Sequence, residues 1–317
     1  MSGLQVLQPR EVPLGGPRAM RVRRTLPARG RTLIGAWCFV DHYGPDDVAA
    51  TRGMSVAPHP HTGLQTVSWL FTGEIEHRDS AGHPAFVRPG ELNLMTAGRG
   101  ISHTEVSTQR TRVLHGVQLW LALPDADRHV PPGLQHHVPE RVRRDGWSLR
   151  VFLGSLDGVT APVPTYTPLL GAELVLDAAV TVTVELDPAF EHGVLVDGGT
   201  LLVGGEQLTE HRLGYLGPGR SRLELQAVGD EPVRLLLLGA PVRREDRDVV
   251  ELRRPQPRRD RRVPRGLAGA DHPRRRGGHR RATCRGRPLR QHGRSTAAHP
   301  RARAAARATQ GTWVRLR

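Results

Sequence analysis

The chain has 317 residues, of which 38% are hydrophobic, and its 46 basic and 31 acidic side chains give a formal charge of +15. The charge is unevenly distributed, because the segment from Arg243 to the last residue holds 24 arginines and six acidic residues. Residues 1–242 hold 22 arginines and 25 acidic residues and are therefore mildly acidic. This body does not have the basic balance of a nucleic-acid-binding domain, and we expect no specific nucleic-acid partner.

The sequence pattern shows no targeting or membrane segment. No run of about 18 or more apolar residues occurs, so no membrane-spanning helix is predicted. The residues from Met1 to Gln5 lack the basic-then-apolar layout of a secretory signal. Two cysteines, Cys38 and Cys284, are too few for a disulfide framework and fit a reducing compartment. We therefore predict a cytoplasmic protein without a membrane partner.

Short β-strand patterns run through residues 1–242. Stretches such as Thr66–Phe71, Thr181–Leu186 and Arg234–Leu238 are β-branched or apolar, and a glycine or proline follows each within two residues. Long stretches with the helical period of 3.6 residues are almost absent, which predicts an all-β protein built from barrels or sandwiches. We place a first domain at residues 1–130, a linker rich in proline and glycine at 131–147, and a second domain at 148–242.

Residues 243–317 differ in composition and sequence pattern from the rest of the chain. Apolar periodicity is lost and Arg, Pro, Gly, His and Ala dominate, so we predict a disordered tail. A solvated basic tail or a nucleic-acid arm would have this composition. A frameshift explains it better, because permitted codons for residues 243–260, read one base later, spell a text that includes Met-Trp-Trp-Asn-Phe. Our hypothesis is that the reading frame shifts near codon 243.

Four side chains between residues 59 and 105 have the types and spacing of metal ligands. His59 and His61 are two positions apart, as are His103 and Glu105, so each pair lies on one face of a strand. If the two strands are neighbours, three imidazoles and one carboxylate converge. This donor set suits Fe(II), Mn(II), Ni(II), Cu(II) or Zn(II). The alternative is a group of scattered surface histidines, which the doubled spacing disfavours.

The same region carries the resemblance to a known family. His59-Pro60-His61 and the later Gly98 to His103 segment, each framed by glycines, are similar to the two cupin motifs. Five stretches resemble the pirin family, namely Val56–Val67, Gly73–Ser80, Met95–Glu105, Asp41–Pro45 and Leu114–Trp120. The resemblance covers roughly residues 4–242. Pirins also end in a segment close to the shifted-frame text, which supports the frameshift hypothesis.

The resemblance implies two cupin (jelly-roll type) β-barrels in tandem, followed by the tail. It also implies Fe(II), with Mn, Ni, Cu or Zn as alternatives, in the N-terminal barrel at the residues matching His59, His61, His103 and Glu105. The position of the glutamate ligand that is usual in cupins falls near Thr66 here, and the resemblance implies that Glu105 is the carboxylate ligand instead. The C-terminal barrel offers Glu191-His192 in place of the first motif, and we predict that it binds no metal and that His192 is an ordinary strand residue.

The activity that the resemblance implies is of the quercetin 2,3-dioxygenase type, in which a flavonol ring is opened with O2. Glu105 is then the expected base for the 3-hydroxyl proton of the substrate. A flavonol-like small molecule and O2 are the expected partners. The alternatives are a non-enzymatic, iron-dependent redox regulator that acts through a protein partner, and a non-functional frameshift product. An open apolar pocket favours the enzyme, since a redox sensor needs only electron access to the iron.

Other polar residues leave two interpretations each. His77 and Asp79 either orient a ligand histidine from behind or form a polar strand end. His42 either lines the pocket or packs beside the strand that holds Cys38, a residue we interpret as a core thiol. His115 is predicted to pack under the barrel.

Overall fold

The computed structural model describes residues 3–14 and 20–242, and the predicted disorder and frameshift of the tail lie outside these residues. The described part of the chain forms 24 β-strands and one four-residue helix. The predicted all-β class is therefore confirmed. No helix in the described ranges is long and apolar enough to cross a membrane.

Two sheets make up the N-terminal half. The elements up to residue 137 are β1 (Gln5–Leu7), β2 (Arg10–Pro13), β3 (Arg21–Leu26), β4 (Trp37–Asp47), α1 (Val48–Thr51), β5 (Ser55–His61), β6 (Leu64–Thr72), β7 (Ile75–Asp79), β8 (Ala85–Val87), β9 (Leu92–Thr96), β10 (Ile101–Ser107), β11 (Val113–Ala122) and β12 (Gly133–His137). Seven of the strands form an antiparallel sheet in the order β12-β9-β6-β11-β4-β3-β2. Four more form a second sheet in the order β5-β10-β7-β8.

The C-terminal half repeats this design. Its strands are β13 (Val142–Arg144), β14 (Trp147–Leu153), β15 (Ser155–Leu156), β16 (Val159–Thr160), β17 (Leu170–Leu176), β18 (Thr181–Glu185), β19 (Phe190–Gly198), β20 (Thr200–Val203), β21 (Glu206–Thr209), β22 (Leu213–Leu216), β23 (Arg222–Val228) and β24 (Val233–Pro241). The seven-stranded sheet has the order β1-β22-β19-β24-β17-β14-β13, and the four-stranded sheet the order β18-β23-β20-β21. The strands β15 and β16 pair as a small hairpin.

Burial patterns explain which sheets face water. In β18 the exposed Thr181 and Thr183 alternate with the buried Val182 and Val184, as in a strand with one solvated face. In β24 the leucines are buried on both faces. Leu235 and Leu237 belong to the core inside the C-terminal half, whereas Leu236 and Leu238 belong to a core shared with the N-terminal half. Because both faces of this sheet are covered, its sequence is a continuous apolar run.

The two seven-stranded sheets pack against each other through this shared core, which we call the seam. Trp37 and Trp69 of the N-terminal half lie in it with Phe152 of the C-terminal half, whose ring centroid is 4.6 Å from that of Trp69. Both indole nitrogens donate hydrogen bonds across the seam. Trp69 Nε1 donates to Glu173 Oε2 at 2.8 Å, and Trp37 Nε1 donates to the carbonyl oxygen of Gly239 at 3.2 Å. Buried tryptophans thus have polar partners as well as apolar ones.

A buried carboxylate forms a second tie across the seam. Asp197 Oδ1 on β19 lies 2.7 Å from Nε2 of His42 and 2.7 Å from Nε2 of His115. Arg234 Nε lies 3.4 Å from the other carboxylate oxygen. Burial alone would raise the pKa of Asp197, but the close imidazoles of His115 and His42 outweigh burial and hold this pKa well below its usual range. The carboxylate is therefore ionised at neutral pH and joins the two halves.

Strand pairing near residue 140 differs from the predicted linker. Within residues 131–147, β12 pairs with β9 of the N-terminal half and β13 pairs with β14 of the C-terminal half. The prolines and glycines of the segment mark its turns, and they also make the strand pattern of β12 hard to detect. This strand gains its hydrogen bonds by pairing with the open edge of β9. The N-terminal strand β1 also departs from the predicted first domain, because it pairs with β22 of the C-terminal half.

Replacing Asp197 with alanine should strongly destabilise the protein. Removing a buried carboxylate that accepts a hydrogen bond leaves a buried polar group without its partner, which costs about 1–3 kcal/mol. We expect the midpoint of urea unfolding to fall accordingly. Glu185→Ala is the matched control, because the pair of Glu185 with Arg222 is exposed, and its midpoint should stay native. Equal midpoints for the two variants would show that Asp197 does not hold the seam.

Candidate metal centre

Two neighbouring strands bring the predicted ligands together. β5 carries His59 and His61, β10 carries His103 and Glu105, and the two strands pair antiparallel. His103 stands opposite His59 in the register, and Ile101 stands opposite His61. Since alternate residues share a face, three imidazoles point to the same side of the four-stranded sheet.

The imidazole nitrogens converge closely. His103 Nε2 lies 3.1 Å from Nε2 of His61 and 3.1 Å from Nε2 of His59. Two imidazole nitrogens that bind one ion at about 2.1 Å and at a right angle lie about 3.0 Å apart, whereas a tetrahedral angle separates them by about 3.4 Å. The observed separations fit neighbouring positions on a six-coordinate ion. Neutral imidazoles that face each other through lone pairs also need a proton or a cation between them.

Glu105 lies beside this cluster on β10, just after a shift in the register of that strand. The register between β5 and β10 shifts between His103 and Glu105, which changes the direction of the carboxylate. Its Oε1 accepts a hydrogen bond from Ser68 Oγ at 2.9 Å, and the same hydroxyl lies 2.9 Å from Gln118 Oε1. The ligand atoms of Glu105, His103 and His77 lie within 4.8 Å of one another, and those of His59, His61 and His103 form an overlapping group.

Burial sets the charge of the cluster. His103, Glu105 and His61 expose only 2%, 5% and 8% of their surface, and His59 is half-buried. Burial lowers the pKa of His61 to about 4 and that of His103 to about 3, and repulsion from neighbouring imidazoles adds to the effect. Both rings are therefore neutral at pH 7. A neutral imidazole is the form that binds a metal ion.

His77 lies directly behind His103. Its Nδ1 is 3.3 Å from His103 Nδ1, and its Nε2 is 3.3 Å from Asp79 Oδ2. His77 is 3% exposed. Of the two interpretations open from the sequence, the structure favours an orienting pair behind a cluster histidine over a solvated strand end.

Comparison with known proteins places this arrangement in a family. The family model described as Pirin matches residues 19–121. A Pseudomonas aeruginosa relative named "Putative quercetin 2,3-dioxygenase PA1205" is 46% identical over 237 residues, which are 74% of each chain. The chain belongs to the pirin family. Human pirin is 30% identical over 209 residues, covering 62% of this chain and 71% of its own.

Solved structures confirm the bicupin fold of this pirin. The crystal structure of quercetin 2,3-dioxygenase from Acinetobacter baumannii has a TM-score of 0.71 and 38% identity, covering 75% of this chain and 79% of its own. The bacterial pirin YhhW from Escherichia coli, solved in complex with nickel(II), has a TM-score of 0.58 and 16% identity, covering 75% of this chain and 99% of its own. At that identity, YhhW demonstrates the shared fold alone.

The histidine cluster of this pirin lies in a pocket of about 950 Å³. Phe39 and Trp120 stack on one wall with ring centroids 3.9 Å apart, and the ring centroids of Trp120 and His61 are 4.9 Å apart in a T-shaped arrangement. Arg24 covers the Phe39 ring at 4.2 Å and binds Asp41 through two hydrogen bonds of 2.7 Å. The cluster is therefore open to a molecule with a flat apolar surface.

The other polar candidates lie outside the cluster. His42 contacts Asp197 at the seam and does not line the pocket, because its strand turns this side chain toward the other half. His115, predicted under the barrel, lies at the same seam. Cys38 is buried and lines the pocket. His192 is fully buried on β19 of the C-terminal half, against Gly239, and burial lowers its pKa to about 4.

Three residues around the site, Ser68, Gln118 and Trp120, carry no motif in the sequence. Ser68 comes from β6, and Gln118 and Trp120 come from β11. Each strand contributes one or two polar or aromatic side chains, so no local motif appears. The alternation of Gln118 and Trp120 with the seam residues Val117 and Leu119 was a usable signal for an inward-facing pair.

The lowered pKa values predict a pH dependence for the metal-free protein. Because the pKa of His61 and His103 falls from 6.5 to about 4 and about 3 on folding, the unfolded chain binds more protons between these values and 6.5. Stability should be unaffected at pH 7 and should fall as the pH drops from 6.5 toward 4, by at most about 1.4 kcal/mol per pH unit for each histidine.

Urea unfolding with a chelator at pH 7, 6 and 5 measures this slope. His61→Gln removes one of the two histidines and should make the decline shallower. His129→Gln replaces an exposed histidine and should keep the native slope. A native slope in His61→Gln would contradict the buried, neutral state of that ring.

Proposed function

We propose that this pirin is a metal-dependent dioxygenase of the quercetin 2,3-dioxygenase type. The observation that carries the proposal is the convergence of three imidazole Nε2 atoms in an apolar pocket of about 950 Å³. A relative at 46% identity and a solved structure at 38% identity carry the name of this activity. A small flavonol-like molecule and O2 are the proposed partners.

The donor set fits a divalent transition metal, and we propose Fe(II). Three neutral imidazoles and one carboxylate suit iron, and they also suit Mn, Ni, Cu or Zn. The proposed ligands are His59, His61, His103 and Glu105. Ser68 holds Oε1 of Glu105, so Oε2 is the oxygen we assign to the ion. Bound iron would supply a Lewis-acidic, redox-active centre that can hold a substrate oxygen and O2 together.

Glu105 is the residue we propose as the base. Burial in the pocket wall places its carboxylate next to the histidine cluster, where the 3-hydroxyl group of a flavonol would bind. The proton of the hydroxyl group would pass to Oε2, once that oxygen has left the ion, and the substrate becomes an anion. The Ser68 hydroxyl stabilises the ionised carboxylate through its hydrogen bond and keeps Oε1 in place.

The aromatic wall gives the substrate its orientation. A flavonol is planar, and the Trp120 ring, which stacks on Phe39, offers a flat surface beside His61. Arg24 fixes Phe39 from behind, since its guanidinium is itself held by Asp41. The pocket therefore aligns a planar molecule with the cluster and excludes water from its apolar side.

The pocket also favours an enzyme over a redox regulator. A regulator that senses iron oxidation needs electron access and has no use for a large apolar cleft beside the iron. With only two cysteines, Cys38 and Cys284, the chain fits a reducing compartment, and we propose a cytoplasmic location.

The first experiment measures metal content and oxygen uptake of the full chain on quercetin. We expect one divalent ion per chain and flavonol-dependent O2 consumption. His59→Ala should lose both, and His129→Ala, an exposed histidine outside the cluster, should retain both. Bound metal without uptake on any flavonol would favour the regulator, and absence of metal would overturn the ligand assignment.

Glu105→Gln separates metal binding from proton removal. The amide keeps the shape of the carboxylate and one oxygen ligand but cannot take a proton. Loss of general-base catalysis typically lowers the rate about 10²–10⁴-fold, and we expect kcat on quercetin to fall in that range while the metal is retained. Native kcat in this variant would exclude Glu105 as the base.

A further inference from the structure

A chain of three polar side chains runs from the back of His103 to the surface. His77 contacts His103, Asp79 contacts His77, and His83 contacts Asp79 with Nδ1 at 3.2 Å from Oδ2. His77 and Asp79 lie on β7, directly beside β10, where Asp79 stands opposite His103 in the register. His83 is the exposed end, with 39% of its side chain accessible, whereas the Asp79 side chain is fully buried.

Asp79 is held in one orientation by the backbone. Its Oδ1 accepts hydrogen bonds from the N–H groups of Ala81 at 2.8 Å and His83 at 3.1 Å. The other oxygen, Oδ2, is thereby turned toward His77 and the His83 ring. An ionised carboxylate only accepts hydrogen bonds, so His77 must present a proton on Nε2.

The proton positions then follow one after another. A His77 imidazole that carries its one proton on Nε2 has a lone pair on Nδ1 and accepts there. The group that faces this lone pair is His103 Nδ1, which must donate. His103 therefore carries its proton on Nδ1, and its Nε2 is left with a lone pair directed at Nε2 of His59 and His61.

We infer that Asp79, through His77, fixes the tautomer of His103 and so prepares His103 Nε2 to bind the metal. Both are positioning residues, since neither belongs to the proposed ligand set. The inference rests on the proposed function for its metal, but the tautomer itself is a property of the metal-free protein. The two ideas can therefore fail separately.

Asp79→Asn tests the inference because it reverses the direction of the hydrogen bonds that run from residue 79 through His77 to His103. The two backbone N–H groups keep the amide oxygen in the place of Oδ1, so the NH2 group replaces Oδ2 and donates to His77 Nε2. His77 must then carry its proton on Nδ1. His103 Nδ1 becomes an acceptor, and the His103 proton moves to Nε2, where the metal would bind.

The first readout is the tautomer of His103 in the metal-free protein, measured by two-bond 1H–15N NMR of the histidine rings at pH 7. We expect a proton on Nδ1 in the native chain and on Nε2 in Asp79→Asn. The same tautomer in both proteins would overturn the inference, whatever the metal does.

The second readout is the Kd for Zn²⁺ alone, titrated into the metal-free full chain. Outer partners of metal-bound histidine typically change metal affinity about 10–100-fold, and we expect Asp79→Asn to weaken binding in that range. His83→Ala is the matched control, because it removes the exposed partner and leaves Asp79 Oδ2 to His77. Its Kd and its His103 tautomer should be native, and a loss equal to that of Asp79→Asn would also overturn the inference.

A double-mutant cycle separates an effect that is transmitted through the proton position of His77 from a general structural effect of the Asp79 substitution. His77→Ala removes the ring that transmits the reversal, so adding Asp79→Asn to it should change the Zn²⁺ Kd less than about threefold. A merely structural role for Asp79 predicts the same loss with or without His77, and that result would overturn the inference. If Asp79→Asn alone does not fold, His77→Ala still decides, because His103 should then lose its single tautomer.

Discussion

The seven-stranded sheet of the N-terminal half has two buried faces, and the rest of the structure depends on their separation. Side chains alternate between faces along each strand. On β6, Ser68 faces the carboxylate of Glu105 while its neighbour Trp69 enters the seam. On β11, Trp120 faces the pocket while Leu119 enters the seam. A slip of one residue would exchange the two sets, so the seam core fixes the register on which the pocket is built.

Local spacing predicted which strand faces carry the two pairs of candidate ligands. The two pairs with i, i+2 spacing, His59 with His61 and His103 with Glu105, lie on adjacent antiparallel strands as expected. Apolar runs such as Arg234–Leu238 were correctly interpreted as buried strands, and the bicupin fold followed from the motifs. These features depend on neighbours in the chain, which the sequence shows directly.

Contacts between distant segments could not be predicted in the same way. Ser68 meets Glu105, and His42 meets Asp197, only because separate strands pair in a particular order. The irregularity after His103 leaves no mark in residue types, although it shifts Glu105 out of the register that His59 and His103 share. β12 was hidden among turn residues, since an edge strand gains its stability from a partner and not from its own composition.

The pairing of β1 with β22 has a consequence for how the chain is made. Gln5 leaves the ribosome near the start of synthesis, but its partner Tyr215 follows more than 200 residues later. The first strand therefore has no β22 to pair with until the N-terminal half has been synthesised. Contacts between strands so far apart in sequence form slowly. An affinity tag fused before Gln5 would accordingly act on the folding of the half of the protein that lacks the histidine cluster.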